Sequence, residues 1–342
     1  MSSQRLISIV GGESLLGREL RELIEEQKAP VRLQLVGVDE ASATLTEQDG
    51  EAVIIPPLGE ESLAGSQVAF LAGSPESGRK ALAMIARSPL RPKIVDLTYI
   101  AEDEPSARLR APLVETEEAV FAPGTIHVIA HPAATAMALL LMKLDAHTGV
   151  RRSVMHVFEP SSERGRPGIE ELRQQTVGLF SFKPLQKEVF DAQIAFNLLS
   201  SYGSQARESL HSVELRIEKH LASLLSGQAA SLMPSLRLVQ APVFHGYSIS
   251  AYVEFANRPD VDALTAALSS PFVDVRCGET SPPDNAGIAG QSGVAVGSIA
   301  PDRHNPSAVW FWLVADNIRL MAENGVAVAL SLLAGGTRGG AA

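Results

Sequence analysis

Residues Leu6 to Val10 form a short apolar run that ends in Gly11-Gly12-Glu13-Ser14-Leu15-Leu16-Gly17 and passes into the helix-like stretch RELRELIEEQ. A glycine-rich turn that opens a helix lets backbone N–H groups approach a phosphate at the positive end of the helix dipole. Gly11, Gly12, Ser14, Leu15, Leu16 and Gly17 are therefore candidate cofactor-binding residues. Ser14 stands where the fingerprint has its middle glycine, so a tight strand-to-helix turn without a ligand reads equally well. A dinucleotide reader also needs a selector at the end of its second strand, acidic for a ribose or basic for a 2′-phosphate. Val38-Asp39-Glu40 offers only acids, so NAD is favoured over NADP if either binds.

The other reactive side chains are sparse. Cys277 is the only cysteine, which excludes an internal disulfide and a multi-cysteine metal site and fits a reducing compartment. It closes the strand-like FVDVRC, far from any helix N-terminus that would stabilise a thiolate, and reads as structural. His127 and His131 are four apart, but on a strand-to-turn segment with no third ligand nearby, so no metal is expected.

The elements that must position these residues alternate. Strand candidates at RLQLVGV, QVAFLAG and KIVDLTY, with helical material such as GRKALAMIAR between them, imply a mostly parallel sheet. After His131-Pro132 a long apolar helix begins, and strands such as RRSVMHVFE, LRLVQAPVF and SISAYVEF follow. The expected domains are a Rossmann-like nucleotide-binding domain over 1–127 and a second domain over 128–312, with a helix over 313–334 returning to pack on the first. GETSPPDNAGIAGQSG reads as a loop, and the glycine-rich tail GGTRGGAA as frayed. At 342 residues two domains are the natural division.

Charge and hydropathy narrow the function classes. A net charge of −10 with no dense Lys/Arg tract argues against nucleic acid as a partner. The N-terminus has no signal-peptide apolar region, and NGVAVALSLLAGG is shorter than the roughly 20 residues of a membrane span, so a cytoplasmic protein is expected.

Five segments together resemble the bacterial aspartate-semialdehyde dehydrogenase family: IVGGESLLGREL, IAHPAATAMAL, AQIAFNLLS, PVFHGYS and VADNIRLMAENGVAVAL, in unbroken order from about residue 5 to 333. The resemblance implies an α/β fold of the glyceraldehyde-phosphate/aspartate-semialdehyde dehydrogenase type, with an α+β dimerisation domain and a homodimer formed through it. In the family a cysteine thiolate attacks the aldehyde, a histidine handles the proton, hydride passes to NADP, and phosphate attacks the thioester. Carried over, the nucleophile falls on Ala134 and the histidine on Tyr247, whose phenol is a poor acid-base group at neutral pH. The substrate-gripping arginine falls on Gln240, the phosphate-site arginine near Glu102, a strand glutamine on Glu159 and the 2′-phosphate reader on Glu40. Asn317 joins the cofactor-binding set through the last-helix segment. Ser162 to Gly168 replaces the family's Ser-Gly-Ala-Gly loop. His245, two residues from Tyr247, would sit roughly 6 to 7 Å from the histidine position, too far to stand in for it.

The reading that follows is a family relative with a degenerate active site, similar to the Usg-type homologues that lack the cysteine, binding a small metabolite or another subunit. The alternative is an NAD(P)-dependent oxidoreductase acting on an aldehyde or oxo group with Tyr247 as proton donor, and a weaker one is the parent enzyme with an unrecognised nucleophile.

Overall fold

A computed structural model describes residues 5–40, 44–48, 51–89, 91–115, 121–228, 232–278 and 280–335; the glycine-rich tail lies outside them apart from Gly335. The chain divides into two compact units, one running to Ala130 and resuming at Met321, the other spanning His131–Leu320.

The first unit contains β1 (Arg5–Val10), α1 (Leu15–Glu26), β2 (Val31–Val36), β3 (Thr44–Gln48), β4 (Glu51–Ile55), α2 (Glu60–Leu63), β5 (Val68–Leu71), α3 (Pro75–Arg87), β6 (Lys93–Asp96), β7 (Ala107–Arg110) and β8 (Ile126–Ile129). Among the described residues β2-β1-β5-β6-β8-β7 form one sheet with every pairing parallel. Continuous apolar runs suit such a sheet because both faces are covered: Val68, Ala69, Phe70 and Leu71 of β5 are all buried. β3 and β4 pair separately as an antiparallel hairpin.

The second unit holds α4 (Pro132–His147), β9 (Val150–Glu159), α5 (Gly165–Phe180), α6 (Leu210–Leu224), β10 (Ser235–Gln240), β11 (Tyr247–Phe255), α7 (Val261–Leu268), β12 (Val273–Arg276), β13 (Val294–Pro301) and β14 (Ala308–Ala315), and it contains the start of α8 (Asn317–Gly335). Its mixed sheet runs β10-β9-β11-β14-β13-β12. Residues 128 and 129, expected to open the second domain, belong to β8 and pair with β6 and β7. Residues 313–315, expected to start the last helix, end β14, because WFWLV alternates against β11 in antiparallel register and Asp316 then caps the helix. Further along α8, Ala322, Val326 and Ala329 pack in one core with Ile7, Phe70 and Leu20. Burying a valine there contributes roughly 1.5 kcal/mol or more.

A segment from 181 to 209, without a regular helix or strand, is held by two side chains of α5. Glu171 accepts from the backbone N–H groups of Val189 and Phe190, and Gln175 accepts from Ile194 and Ala195 while donating to the carbonyls of Gln186 and Ala192. The segment presents Phe182 and Phe196 outward, 98% and 65% exposed, with Phe196 meeting Phe180 of α5 edge to face at 5.7 Å. Both Phe182 and Phe196 have positive φ, at 52° and 58°, a conformation bulky side chains rarely adopt.

Candidate functional site

The glycine turn of the first unit is closed by contacts that only hydrogen leaves room for. Gly11 has φ +84°, a Cβ there would overlap the Cα of Gly73, and one on Gly17 would overlap the carbonyl oxygen of Gly11. Gly11 and Gly12 both donate to the carbonyl of Val36, tying the turn to the end of β2. Ser14 caps α1: its hydroxyl accepts from Gly17 N at 2.8 Å and donates to the Ala72 carbonyl at 2.7 Å. A glycine could do neither. Leu15 and Leu16 form the first, half-buried turn of α1.

Beside this turn stand three acids. Glu13 reaches across to the end of β2, where its Oε1 accepts from Val38 N at 3.3 Å. Its Oε2 is buried without a hydrogen-bond partner. Asp39 and Glu40 are exposed. The expected selector Glu40 approaches Lys80 at 3.8 Å, and Glu76 competes for the same ammonium at 3.1 Å. Glu102 sits in a turn after β6, adding negative charge near the buried Asp96.

In the second unit the ends of β9 and β10 and the start of β11 bring distant residues together. Glu159 and Gln240 are direct register partners, and Tyr247 opens β11. A 3-10 turn, Ser161–Arg164, follows β9 and carries Glu163 and Arg164 back over these strand ends. Gly168 allows the return, since a Cβ there would overlap the Ser161 carbonyl.

Two polar networks fill this region. In the first, Glu159 meets Arg164 at 3.0 Å, and Arg164 also faces Glu208 at 3.5 Å. The Tyr202 hydroxyl, with a single proton to give, lies 2.5 Å from Gln240 Oε1 and 3.1 Å from Glu159 Oε1. The Gln240 amide donates to the carbonyls of Glu159 and Ala241. Burial pushes the Glu159 carboxyl up to about 7 against the pull of Arg164. The Arg164 guanidinium is raised despite burial by Glu159, and burial together with Glu159 raises the Tyr202 phenol.

The second network surrounds the N-terminus of α4. His131 is its N-cap, with Nδ1 accepting from Ala133 N at 3.2 Å, which leaves Nε2 as the ring's donor. Nε2 faces Glu163 Oε1 at 3.2 Å, and the Tyr247 hydroxyl lies 3.4 Å from Nε2. Because that nitrogen is already a donor, the phenol proton turns to Glu163, which Tyr247 also hydrogen-bonds. Burial pushes the Glu163 carboxyl up, but His131, Arg164 and Tyr247 more than reverse this and hold it at about 2. Asn317, expected among the cofactor-binding residues, joins this network: it donates to Glu163 Oε2 at 3.4 Å and accepts from Ser162 Oγ and Gly246 N.

Ala134 occupies the third position of α4 and is fully buried. His245 contributes its carbonyl to Asn285. His127 lies in the first unit, where burial and Arg110 lower it to about 4. Cys277, read as structural, is a free thiol at the surface. Among the described residues no three His, Cys, Asp or Glu side chains gather as metal ligands, and no helix is long and apolar enough to cross a membrane. Sequence reasoning weighed His131 only as a metal ligand, took Glu163 and Arg164 only as part of the Ser162 to Gly168 loop, and missed Tyr202. The available signal was the charged Glu163-Arg164 pair four residues beyond the end of β9, in the stretch read only as a loop.

Residues 144–320 match the family described as semialdehyde dehydrogenase, dimerisation domain. The USG-1 protein homolog of Pseudomonas aeruginosa is 29% identical over 323 residues, covering 93% of this chain and 94% of its own. The aspartate-semialdehyde dehydrogenase of Rickettsia bellii is 25% identical over 344 residues, covering 97% and 99%. The solved structure of a probable aspartate-semialdehyde dehydrogenase from Pseudomonas aeruginosa superposes with a TM-score of 0.81 at 26% identity, over 97% of this chain and 99% of that one. With just over half of its length matched to one family, through the unit that holds Glu159, Glu163 and Tyr247, the chain belongs to the semialdehyde dehydrogenase family and carries its dimerisation domain at residues 144–320.

Proposed function

We propose that this chain is a dimeric family member without the phosphate-dependent aldehyde dehydrogenation for which its relatives are named. The observation that carries this reading is the content of the α4 N-terminus. Ala134 offers a buried methyl group where the family resemblance puts the thiolate, and a methyl group forms no thioester. The surrounding charges support it. Arg164 is committed to Glu159 and Glu208, and Glu163 to His131 and Asn317, so these buried groups compensate one another instead of facing a substrate carboxylate or phosphate. Gln240 and Glu159, at the substrate positions, crosslink their own strands.

A nicotinamide bound at the glycine turn would supply or accept hydride. The chain's remaining role is to bind a small metabolite or a second subunit, with the exposed Phe180, Phe182 and Phe196 forming the centre of a homodimer contact. The deciding assay is NADP reduction by the purified protein with aspartate semialdehyde and phosphate, where we expect no turnover above background. Robust phosphate-dependent reduction that survives iodoacetamide and Cys277→Ser would falsify the reading.

A second reading draws on the contact of Tyr247 with His131 and Glu163: an oxidoreductase that protonates a substrate oxygen from the phenol. Dinucleotide oxidation on an aldehyde without phosphate, abolished by Tyr247→Phe, would select it. Tyr247 is 1% exposed, which favours the first reading.

A further inference from the structure

We propose that Glu13, within the glycine turn, is the residue that reads the ribose of a bound dinucleotide, accepting a free 2′-hydroxyl and excluding a 2′-phosphate. The inference rests on the turn still binding a dinucleotide and deepens that part of the function by replacing Glu40 with Glu13 as the selector.

The turn fits a dinucleotide on two observations. Its backbone cradle is built from glycines whose Cβ atoms would overlap the main chain. At its rim stands a carboxylate with one oxygen engaged and the other orphaned: Oε1 holds Val38 N, while Oε2 is buried with no donor. A buried carboxylate oxygen left without a hydrogen-bond donor is costly, and rotation about the Cγ–Cδ bond presents either oxygen to an incoming group. A hydroxyl supplies the missing proton. A phosphate brings only acceptor oxygens and negative charge, and a like charge placed against the carboxylate repels it strongly.

Glu13 also reaches the end of β2. It spans the gap between the glycine turn and the end of β2, the position from which an acidic side chain reads a ribose in this type of fold. Glu40 is further along the same connection, exposed, and has Lys80 beside it, so solvent and a cation weaken its effect on a phosphate.

The experiment is calorimetric titration of the full chain with NAD and with NADP, on the wild type and on Glu13→Gln, Glu13→Lys and Glu40→Gln. The glutamine keeps an acceptor for Val38 N, and melting temperatures verify folding of each variant. We expect the wild type to bind NAD at least tenfold more tightly than NADP. Glu13→Gln should bring the ratio to within about threefold, Glu13→Lys should reverse it, and Glu40→Gln should leave it within about twofold of wild type. A ratio unchanged in Glu13→Gln, or one that collapses only in Glu40→Gln, overturns the assignment. Absence of binding by either dinucleotide at millimolar concentration overturns it too. None of these readouts depends on turnover, so a catalytically active protein and a wrong selector are separate results.

Discussion

The His131 imidazole and the Glu163 carboxylate face each other at 3.2 Å with both side chains removed from solvent, one at the start of α4 and the other on the turn that follows β9. His131 spends one nitrogen on capping its own helix and the other on this acid. The carboxylate in turn gathers protons from Tyr247 and Asn317. The N-terminus of α4 is therefore a structural junction.

Removing that acceptor should be expensive. Glu163→Ala leaves His131 Nε2, the Tyr247 hydroxyl and the Asn317 amide without their shared partner, at a cost on the order of 3 kcal/mol in unfolding free energy. Glu163→Gln, which still accepts, should lose about half as much. Urea unfolding followed by circular dichroism measures both, and an alanine variant within about 0.5 kcal/mol of wild type would show that the junction is not holding the unit together.

The parts of this arrangement that could be read from sequence were those carried by local spacing. Gly11 and Gly17 announce a strand-to-helix turn, and alternation in SISAYVEF announces β11. The His131, Glu163 and Tyr247 junction joins residues with no common period, supplied by a helix cap, a 3-10 turn and the first residue of a strand, so only the sheet order brings them together. Gln240 shows the same limit. The family resemblance puts it at an arginine position, but its two bonds to the carbonyls of Glu159 and Ala241 depend on the β9 and β10 register. The start of α8 and the end of the first unit lie a few residues later than the spacing implies, because apolar strand ends and helix starts share the same composition.

Stability should respond to pH in two opposed ways. Glu159 has its carboxyl raised to about 7 from 4.5, so its contribution is fully present below pH 4.5 and is lost as pH rises through 7. His127 is lowered from 6.5 to about 4, so its contribution is present above pH 6.5 and is lost as pH falls toward 4. Between pH 4.5 and 6.5 the two trends oppose each other. In Glu159→Gln the melting temperature should rise more steeply with pH across that window than in wild type, and in His127→Phe it should fall with pH. Parallel wild-type and Glu159→Gln profiles would refute the assignment of the titrating acid.

On the proposed reading, adding a thiol and an imidazole at the two family positions should not produce the reaction. Ala134→Cys with Tyr247→His supplies a thiol and an imidazole, but Gln240 and Glu159 remain bonded to each other and Arg164 remains paired. We expect phosphate-dependent NADP reduction by the double variant to stay at least about a thousandfold below a competent family enzyme, since members of such a unit act together. Turnover within tenfold of that enzyme would mean that the rest of the site is intact.

Charge placed in the aromatic patch should separate subunits. Phe182→Glu and Phe196→Glu each put a carboxylate into the proposed contact, and a buried unpaired charge there costs several kcal/mol. Sedimentation at micromolar concentration should show a dimer for wild type and monomers for the variants, with unchanged far-ultraviolet circular dichroism. A wild type that sediments as a monomer, or variants that remain dimeric, would move the contact elsewhere.

The clamp formed by Glu171 and Gln175 bears on how such a contact assembles. Six hydrogen bonds fix the backbone that presents Phe196 within the single subunit, so the proposed contact surface is ordered without a partner. Association at that surface would forfeit little main-chain freedom, the usual penalty when a loop orders on contact. If two chains meet there as proposed, the contact would form without a folding step in this segment, its rate set by diffusion and orientation, and a separated subunit would keep the same face presented.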